Sequence, residues 1–195
     1  MSSDDGGAGE ELLSRALAGE SAAFRALVVQ HQRLVYSLAL RMLSDRHRAE
    51  DLSQEVFLQL HRNLPSIESM THLVFWLRKV TIHRAIDRLR RDPRHPTTSL
   101  ELAATVAVES EECDPLLQRR LRTLIAQLPP AARAVVLLRY QEDLDPIEIG
   151  RTLKMPVNTV KSHLKRSLTA LREAMQPQLG VSGGPPVAPN AESST

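Results

Sequence analysis

The segment from residue 145 to residue 175, DPIEIGRTLKMPVNTVKSHLKRSLTALREAM, constrains the fold of this chain more than any other. Asp145 is a favourable N-cap, Pro146 suits the first position of a helix, and Glu148 completes the spacing of a capping box. These signals predict a short helix, a tight turn and a second helix that Pro156 opens. Two helices joined in this way form a helix-turn-helix.

The second of these helices has an apolar face and a basic face. Its apolar residues recur at helical spacing and predict a buried stripe of Val157, Val160, Leu164, Leu168, Leu171 and Met175. The other face carries cations and small polar groups but no acid, as a major groove requires. Its candidate DNA contacts are Asn158, Thr159, Lys161, Ser162, Lys165 and Arg166. A solvated amphipathic hairpin is the alternative, but the caps, the turn and the basic face together favour DNA binding.

Charge is strongly segregated along the chain. Residues 1–11 contain four acids and residues 95–114 contain five, and neither segment contains a lysine or an arginine. Because the whole chain has a formal net charge of +2, the remainder carries +11. Such a basic remainder favours a polyanionic partner such as nucleic acid. Cys113 is the single cysteine, which excludes an intramolecular disulfide and a cysteine-rich zinc site.

Other classes of protein find little support in the sequence. No apolar run approaches membrane-spanning length, and the acidic N-terminus does not resemble a secretory signal, so we expect a cytoplasmic protein without membrane insertion. The seven histidines are scattered and form no Glu-x-x-His pair, and no Gly-rich phosphate loop or serine elbow occurs. We therefore expect no enzymatic activity, no catalytic residues, no metal and no cofactor.

Composition divides the chain into five segments. We expect a disordered N-terminus (1–11), a helical section (12–92), a flexible acidic linker (93–114), a second helical section (115–176) and a disordered tail (177–195). Since strand-like alternation is absent, the predicted fold is all-α, with two small helical domains joined by a flexible linker. A linker of about 20 residues can extend over ~60–70 Å, which is about two turns of duplex at ~34 Å each.

The first helical section predicts three helices. Ser21 can cap the first, whose apolar line is Phe24, Leu27, Val28, Leu34, Val35, Leu38 and Met42. The second, from about residue 46 to residue 62, should bury Leu52, Val56 and Leu60. The third runs from about residue 71 to residue 91. Along one side of this helix, apolar residues are followed by arginines, in the order Leu73, Leu77, Val80, Arg84, Arg88 and Arg91.

Two segments of this first section, AEDLSQEVFLQLHRNL (49–64) and FWLRKVTIHRAIDRLRR (75–91), resemble the first conserved domain of bacterial sigma factors. A third segment, LPPAARAVVLLRYQEDLDPIEIGRTLKMPVNTVKSHLKRSLTALRE (128–173), resembles the C-terminal domain of the same family. The class with the greatest similarity is the extracytoplasmic-function class, or group IV. The resemblance covers both helical sections in the family's order.

This resemblance implies that the chain binds core RNA polymerase and promoter DNA, whereas the existence of an anti-sigma factor as a further partner is left open. The implied core polymerase-binding residues are Asp51, Leu52, Gln54, Glu55 and Phe57. From the sequence pattern alone, acids in the early turns of a helix indicate only a well-capped, solvated face. The implied contacts with the opened minus-ten element are His72, Lys79, His83, Arg84 and Arg88. The helix after Pro156 would read the minus-thirty-five element.

The chain departs from the family pattern at four positions. Arg78 replaces a common tyrosine and His83 a common asparagine, so the usual minus-ten preference does not carry over. Lys154 stands at the usual turn glycine, where a positive φ would cause strain. His163 replaces a common arginine in the minus-thirty-five helix. We expect Trp76 to pack in the core and not to serve as a stacking platform.

The main alternative is a helix-turn-helix transcriptional regulator that is not a polymerase subunit and whose first section senses a ligand or dimerises. It explains residues 115–176 equally well, but gives no reason for the two motifs in the first section. A helical adaptor that binds the transcription machinery without DNA is less consistent with the basic face. The sequence therefore favours an alternative sigma factor that recognises two promoter elements.

Overall fold

The structure is a computed structural model, and it describes residues 5–91 and 115–176. These residues contain α-helices, one short 3-10 turn at Leu64–Ser66 and no strand, which confirms the all-α prediction. The helices are α1 (Asp5–Leu17), α2 (Ser21–Leu43), α3 (Arg46–Asn63), α4 (Met70–Arg91), α5 (Pro115–Gln127), α6 (Pro130–Tyr140), α7 (Pro146–Leu153) and α8 (Val157–Met175). We call α1–α4 the N-terminal section and α5–α8 the C-terminal section. The predicted linker (93–114) and tail (177–195) lie outside the described residues.

Helix α1 corrects the expected start of the folded chain. It begins at Asp5, so residues 5–11 belong to a helix and not to a disordered N-terminus. Its Leu13 and Ala16 are buried, which explains why this segment joins the fold. Gly19, with a φ of 90°, then turns the chain into α2. The N-cap of α2 is Glu20 and not Ser21, and its side chain makes no capping hydrogen bond.

The N-terminal section buries one apolar face from each of its three long helices. The side chains with no exposed surface include Leu27, Val35, Leu38 and Met42 of α2, Leu52, Val56 and Leu60 of α3, and Leu73 and Leu77 of α4. The predicted buried face of α3 is therefore confirmed. On α2, Phe24, Val28 and Leu34 are only half-buried, whereas His31 is buried. Burial lowers the pKa of the His31 ring.

The prediction that apolar residues and arginines share one side of α4 was partly wrong. Beyond Leu77 the buried line continues through Thr81, Ala85 and Leu89, and not through Val80 and the arginines. At 3.6 residues per turn each step of four residues advances by about 40°, so the buried line turns gradually around α4 and does not stay on one face. Arg84 and Arg88 lie beside this line and contact α3, as described below. Trp76 is half-buried and packs against the core, in agreement with the prediction.

The C-terminal section contains the predicted helix-turn-helix. Helix α7 has the predicted bounds, α8 packs against it, and Val160 of α8 has no exposed surface. The buried stripe of α8 differs from the prediction at one step, because Ser167 is 3% exposed and Leu168 is 37% exposed. The line from Val160 continues through Leu164 and Ser167 to Leu171, so its spacings alternate between four and three residues.

The two sections pack against each other. Helices α6 and α7 contact α4, and α5 and α6 contact α2. Buried side chains of both sections, among them Leu38 and Leu138, belong to one apolar cluster. The sequence predicted two separate helical units on a linker, and it gave no sign of this packing.

Gly150 allows the close approach of α7 to the turn that follows it. A Cβ atom at this position would lie 2.9 Å from the carbonyl oxygen of Met155. The backbone N–H of Met155 in turn donates to the carbonyl of Gly150 over 3.0 Å. A side chain here would push the turn away from the helix, so an alanine should be unfavourable despite its higher helix propensity.

We predict that Gly150→Ala lowers the free energy of unfolding by roughly 1–3 kcal/mol, the usual cost of overpacking. The measurement is urea unfolding followed by circular dichroism. Gly7→Ala is the matched control, since a Cβ atom there meets nothing within 4 Å. The control should be neutral or gain up to about 1 kcal/mol from helix propensity. Equal effects of the two substitutions would contradict the role assigned to Gly150.

Candidate nucleic-acid and polymerase interface

The helix-turn-helix begins with a complete capping box. The Asp145 carboxylate accepts hydrogen bonds from the backbone N–H groups of Ile147 (2.7 Å) and Glu148 (2.8 Å). The Glu148 carboxylate accepts in return from the N–H of Asp145 over 2.8 Å. These bonds satisfy N–H groups that have no partner within the helix, and they fix the angle at which α7 enters the motif.

The turn between α7 and α8 has the conformation that the sequence predicted. Lys154 adopts a φ of 54° and a ψ of 44°, the left-handed region that favours glycine. Its side chain is exposed, as is that of Arg151 one turn earlier. The strained backbone therefore places a cation, and not a glycine, at the corner of the motif.

The outer face of α8 displays every residue that the sequence proposed for the minus-thirty-five element. All six are exposed: Asn158, Thr159, Lys161, Ser162, Lys165 and Arg166. His163 is half-buried at the edge of this face, and Thr169 extends the face by one turn. The helix therefore presents two lysines, an arginine and short polar side chains to the solvent. An α-helix with this surface can enter a major groove about 12 Å wide.

The outer face of α3 carries the candidates for polymerase binding, with one exception. Asp51, Gln54 and Glu55 are exposed and Phe57 is half-buried. Leu52 has no exposed surface, so it cannot contact a partner and can only support this face from within. The sequence interpretation missed Leu58, which is 60% exposed. Its spacing of seven from Asp51 places it on the same side of the helix, and this spacing could have identified it.

The minus-ten candidates on α4 are individually held by neighbouring groups. The ring of His72 accepts from the N–H of Glu68 over 3.3 Å. The Lys79 ammonium lies 5.6 Å from the centroid of the Phe75 ring, within the range of a cation–π contact. His83 differs from these, because its Nε2 contacts a carbonyl oxygen of the C-terminal section over 2.9 Å.

Glu55 connects the two candidate sites of the N-terminal section. Its carboxylate accepts hydrogen bonds from Arg84 Nη1 (3.1 Å) and Arg88 Nη2 (2.5 Å) on α4. Arg84 also donates to the side chain of Gln59, and Arg88 donates to the backbone carbonyl of Arg48. A candidate polymerase contact thus forms ion pairs with two candidate DNA contacts. No spacing rule within one helix could have predicted this pairing.

The described ranges offer little to other kinds of function. Within residues 5–91 and 115–176, no group of three or more histidines, cysteines and acids is placed to hold a metal ion. None of the helices described here combines the length and the apolar character needed to cross a membrane.

Comparisons with known proteins agree with the two helical sections. Residues 27–95 match the family model of Sigma-70 region 2, and residues 118–171 match that of Sigma-70 region 4. The ECF RNA polymerase sigma factor SigW of Bacillus subtilis is 30% identical over 171 residues, which cover 81% of this chain and 91% of SigW. The RNA polymerase sigma-H factor of Pseudomonas aeruginosa is 29% identical over 183 residues, with coverages of 87% and 95%.

A solved structure shows the same fold. CnrH in complex with the cytosolic domain of CnrY superposes with a TM-score of 0.61 at 21% identity, over 85% of this chain and 96% of CnrH. With both sections assigned, the class of protein is a sigma factor. The chain belongs to the extracytoplasmic-function (ECF) family of these factors, and it is an alternative sigma factor that directs transcription initiation. The match of residues 27–95 removes the alternative of a regulator with a sensing or dimerising first section.

The bridge from Glu55 to α4 generates a prediction about the free protein. Glu55→Gln should release Arg84 and Arg88 and raise the affinity for a random-sequence single-stranded oligonucleotide about 1.4- to fivefold. This range corresponds to the ~0.2–1 kcal/mol of exposed ion pairs. The measurement is fluorescence anisotropy at several salt concentrations.

Glu50→Gln is the matched control. Glu50 is also on α3, has the same side-chain exposure of 45%, and pairs with Arg46 of its own helix. The substitution Glu50→Gln changes the net charge by the same amount as Glu55→Gln but releases no arginine of α4. If both variants gained equally, the effect would be one of net charge and the bridge would have no role.

Proposed function

We propose that α3 binds core RNA polymerase, that α4 captures the opened minus-ten element, and that α8 reads the minus-thirty-five element in the major groove. The observation that carries this proposal is the outer face of α8. Six polar and basic side chains point to solvent along one helix, and a fully formed capping box holds the motif behind it. In this arrangement the side chains that would read bases are exposed to solvent, while the apolar stripe of α8 fixes their orientation.

The surface of α3 supports a protein interface. Leu58 stands exposed on α3, with Gln54 and Glu55 one turn before it and His61 and Arg62 one turn after it, all of them exposed. An apolar residue surrounded by polar groups is the usual composition of a binding hot spot, because the polar rim keeps water from the central contact. Leu52 and Val56 fill the core directly beneath and hold the face rigid.

Helix α4 supports the capture of melted DNA. Unpaired strands are held by backbone cations together with surfaces on which bases can stack. Lys79, Arg84 and Arg88 supply cations on the outer side of α4, and Phe75 lies under the Lys79 ammonium. The partners of Arg84 and Arg88 are partly exposed, so a phosphate can compete for both guanidinium groups.

The same proposal implies a further protein partner and a cellular location. The structure of CnrH contains the cytosolic domain of CnrY, and a protein partner of this kind, such as an anti-sigma factor, would be a regulator of this chain also. The chain would act in the cytoplasm, where it meets core polymerase, without catalytic chemistry, a metal or a cofactor of its own.

The polymerase contact can be tested with a triple variant of α3. Asp51→Ala, Gln54→Ala and Leu58→Ala together should weaken binding to core polymerase at least tenfold, because one exposed anchor at a hot spot often contributes more than 1.4 kcal/mol. Glu55 is left in place so that its bridge to α4 stays intact. Binding to immobilised core polymerase and run-off transcription are the two measurements.

The control variant lies on α2 and matches two of the three substitutions in chemistry. Val29 is 64% exposed and Gln32 is exposed, so Val29→Ala with Gln32→Ala removes an apolar and an amide side chain from another surface. This control should bind polymerase normally. Normal polymerase affinity of the folded triple variant would refute the role of α3.

The contacts of α8 can be divided by their chemistry. Arginine has the planar fork that makes bidentate contacts with guanine, whereas lysine is a point charge suited to phosphate. Arg166→Ala should therefore cost roughly 1–3 kcal/mol and relax the preference at one promoter position. Lys165→Ala should weaken binding to all sequences about equally and reduce the salt dependence by about one counterion.

The measurement is binding of single-base promoter variants by each alanine variant in complex with core polymerase, at two salt concentrations. Lys165 and Arg166 are adjacent and both exposed, so each serves as the control for the other. Uniform losses for both variants would make α8 a phosphate clamp and would assign base reading to other residues.

A further inference from the structure

Helix α1 reaches the first turn of α4 through a hydrogen bond. The Glu10 carboxylate accepts from the backbone N–H of Met70 over 2.9 Å, across 60 positions of the chain. Met70 is the first residue of α4, so its N–H has no acceptor within that helix. The Met70 side chain lies against Gly9, where a Cβ atom would be 3.2 Å from its Cγ. Glu10 thus caps α4 from another helix.

The rest of α1 is anchored and keeps Glu10 in place. Leu13 and Ala16 are only 2% and 4% exposed. At the end of α1, Arg15 donates to one carboxylate oxygen of Glu20 over 2.8 Å from Nε and to the other over 2.5 Å from Nη2. Helix α1 is therefore fixed to the start of α2 at one end and to the start of α4 at the other.

Two further hydrogen bonds order the same turn around His72. The backbone N–H of His72 donates to the Ser69 hydroxyl over 3.1 Å, and the N–H of Glu68 donates to Nδ1 of the His72 ring over 3.3 Å. Because a backbone N–H can only donate, Nδ1 carries no proton, and the proton of the neutral ring lies on Nε2. The conformation of this turn therefore selects the tautomer of His72.

The bond from Glu10 and the bond to the His72 ring depend on the same short stretch of backbone. Glu10 holds residue 70, and the ring is held by residue 68. If the Glu10 carboxylate were removed, the Met70 N–H would have to turn to water, and the uncapped helix end would fray. The N–H of Glu68 would then no longer be held against the ring.

We propose that Glu10 is a positioning residue for the minus-ten element, which holds the first turn of α4 so that His72 offers an Nε2–H donor to an unpaired base. The bases differ in the acceptors that they present, so a donor held in one orientation discriminates among them. Glu10 itself lies outside residues 27–95, which match the family model of region 2. This inference rests on the proposed function, since it takes His72 as a minus-ten contact.

The link from Glu10 to His72 is tested in the free full chain. Nitrogen NMR of the histidine rings at alkaline pH, where imidazole is neutral, distinguishes a protonated from an unprotonated Nδ1. The His72 ring should be unprotonated at Nδ1 in the unmodified chain, and Glu10→Ala should give a measurable fraction protonated there. Glu10→Gln retains an acceptor oxygen and should keep the single tautomer. Glu11→Ala is the control, because it removes the same charge from the adjacent exposed position.

The consequence for promoter reading is measured with the chain in complex with core polymerase. A pool of random-sequence duplexes is bound, and sequencing of the retained duplexes gives the base preference at each minus-ten and minus-thirty-five position. Glu10→Ala should lower the preference at one minus-ten position about three- to tenfold, which corresponds to the loss of a typical helix cap. The minus-thirty-five preference should not change, and Glu10→Gln should retain most of the minus-ten preference.

A double-mutant cycle separates positioning from general stabilisation. If Glu10 acts through the ring, Glu10→Ala should change nothing further at that minus-ten position in a His72→Ala background. Additive effects of the two substitutions, equal losses at every minus-ten position, or a single tautomer that survives Glu10→Ala would each overturn the proposal. An unmodified chain that selects no minus-ten sequence with polymerase would contradict the proposed function. The role of Glu10 in promoter reading would then fall with it, whereas the ring tautomer would still report the link from α1 to α4.

Discussion

The arrangement of the two sections depends on the guanidinium of Arg133 of α6, which donates to the Met42 carbonyl at the C-terminal end of α2. A cation that is 2% exposed and faces no carboxylate of the described residues needs concentrated negative potential, and the last carbonyls of a helix provide it. Ser44, in the left-handed conformation, ends α2 one residue after its last turn and leaves the Met42 carbonyl open to a donor. If the sections moved apart, that carbonyl and the guanidinium would both need water. The contact therefore fixes the position of α6 on α2 and, through α6, that of the whole helix-turn-helix.

The same placement affects the candidate sites unequally. The apolar cluster continues from α2 and α4 into α6 and α7. The outer faces of α3 and α8 remain exposed, whereas His83 of α4 is held by a hydrogen bond to α7. Among the minus-ten candidates, His83 thus contacts the C-terminal section, while Arg84 and Arg88 contact α3.

The sequence predicted those features that depend on local rules. The capping box of Asp145 and Glu148 and the buried face of α3 follow from a few neighbouring residues, and both are present. The positive φ of Lys154 was expected from the turn glycine of the resembled family, and it is present as well. The predictions failed where contacts with a second helix determine which side chains are buried or paired. The periodicity of α8 could not distinguish Leu168 from Ser167, because an exposed leucine costs little and a buried serine fits a close helix contact.

The pairing of Glu55 with Arg84 and Arg88, and of Arg78 with Glu142, joins residues that lie 29 to 64 positions apart. Charge patterns along one helix contain no information about such partners. The residues proposed for DNA and polymerase contact were chosen from the helical pattern of α8 and from the family resemblance, and their roles remain predictions. What the structure adds is which of them already have intramolecular partners that an incoming ligand has to replace.

The ion pair across the contact between the two sections adds specificity more than stability. A partly buried ion pair adds little net stability, because desolvation offsets most of the attraction, but a mismatched pair is costly. The Arg78–Glu142 pair therefore determines which residues of α4 and of the segment after α6 face each other, and it contributes little to the strength of the contact.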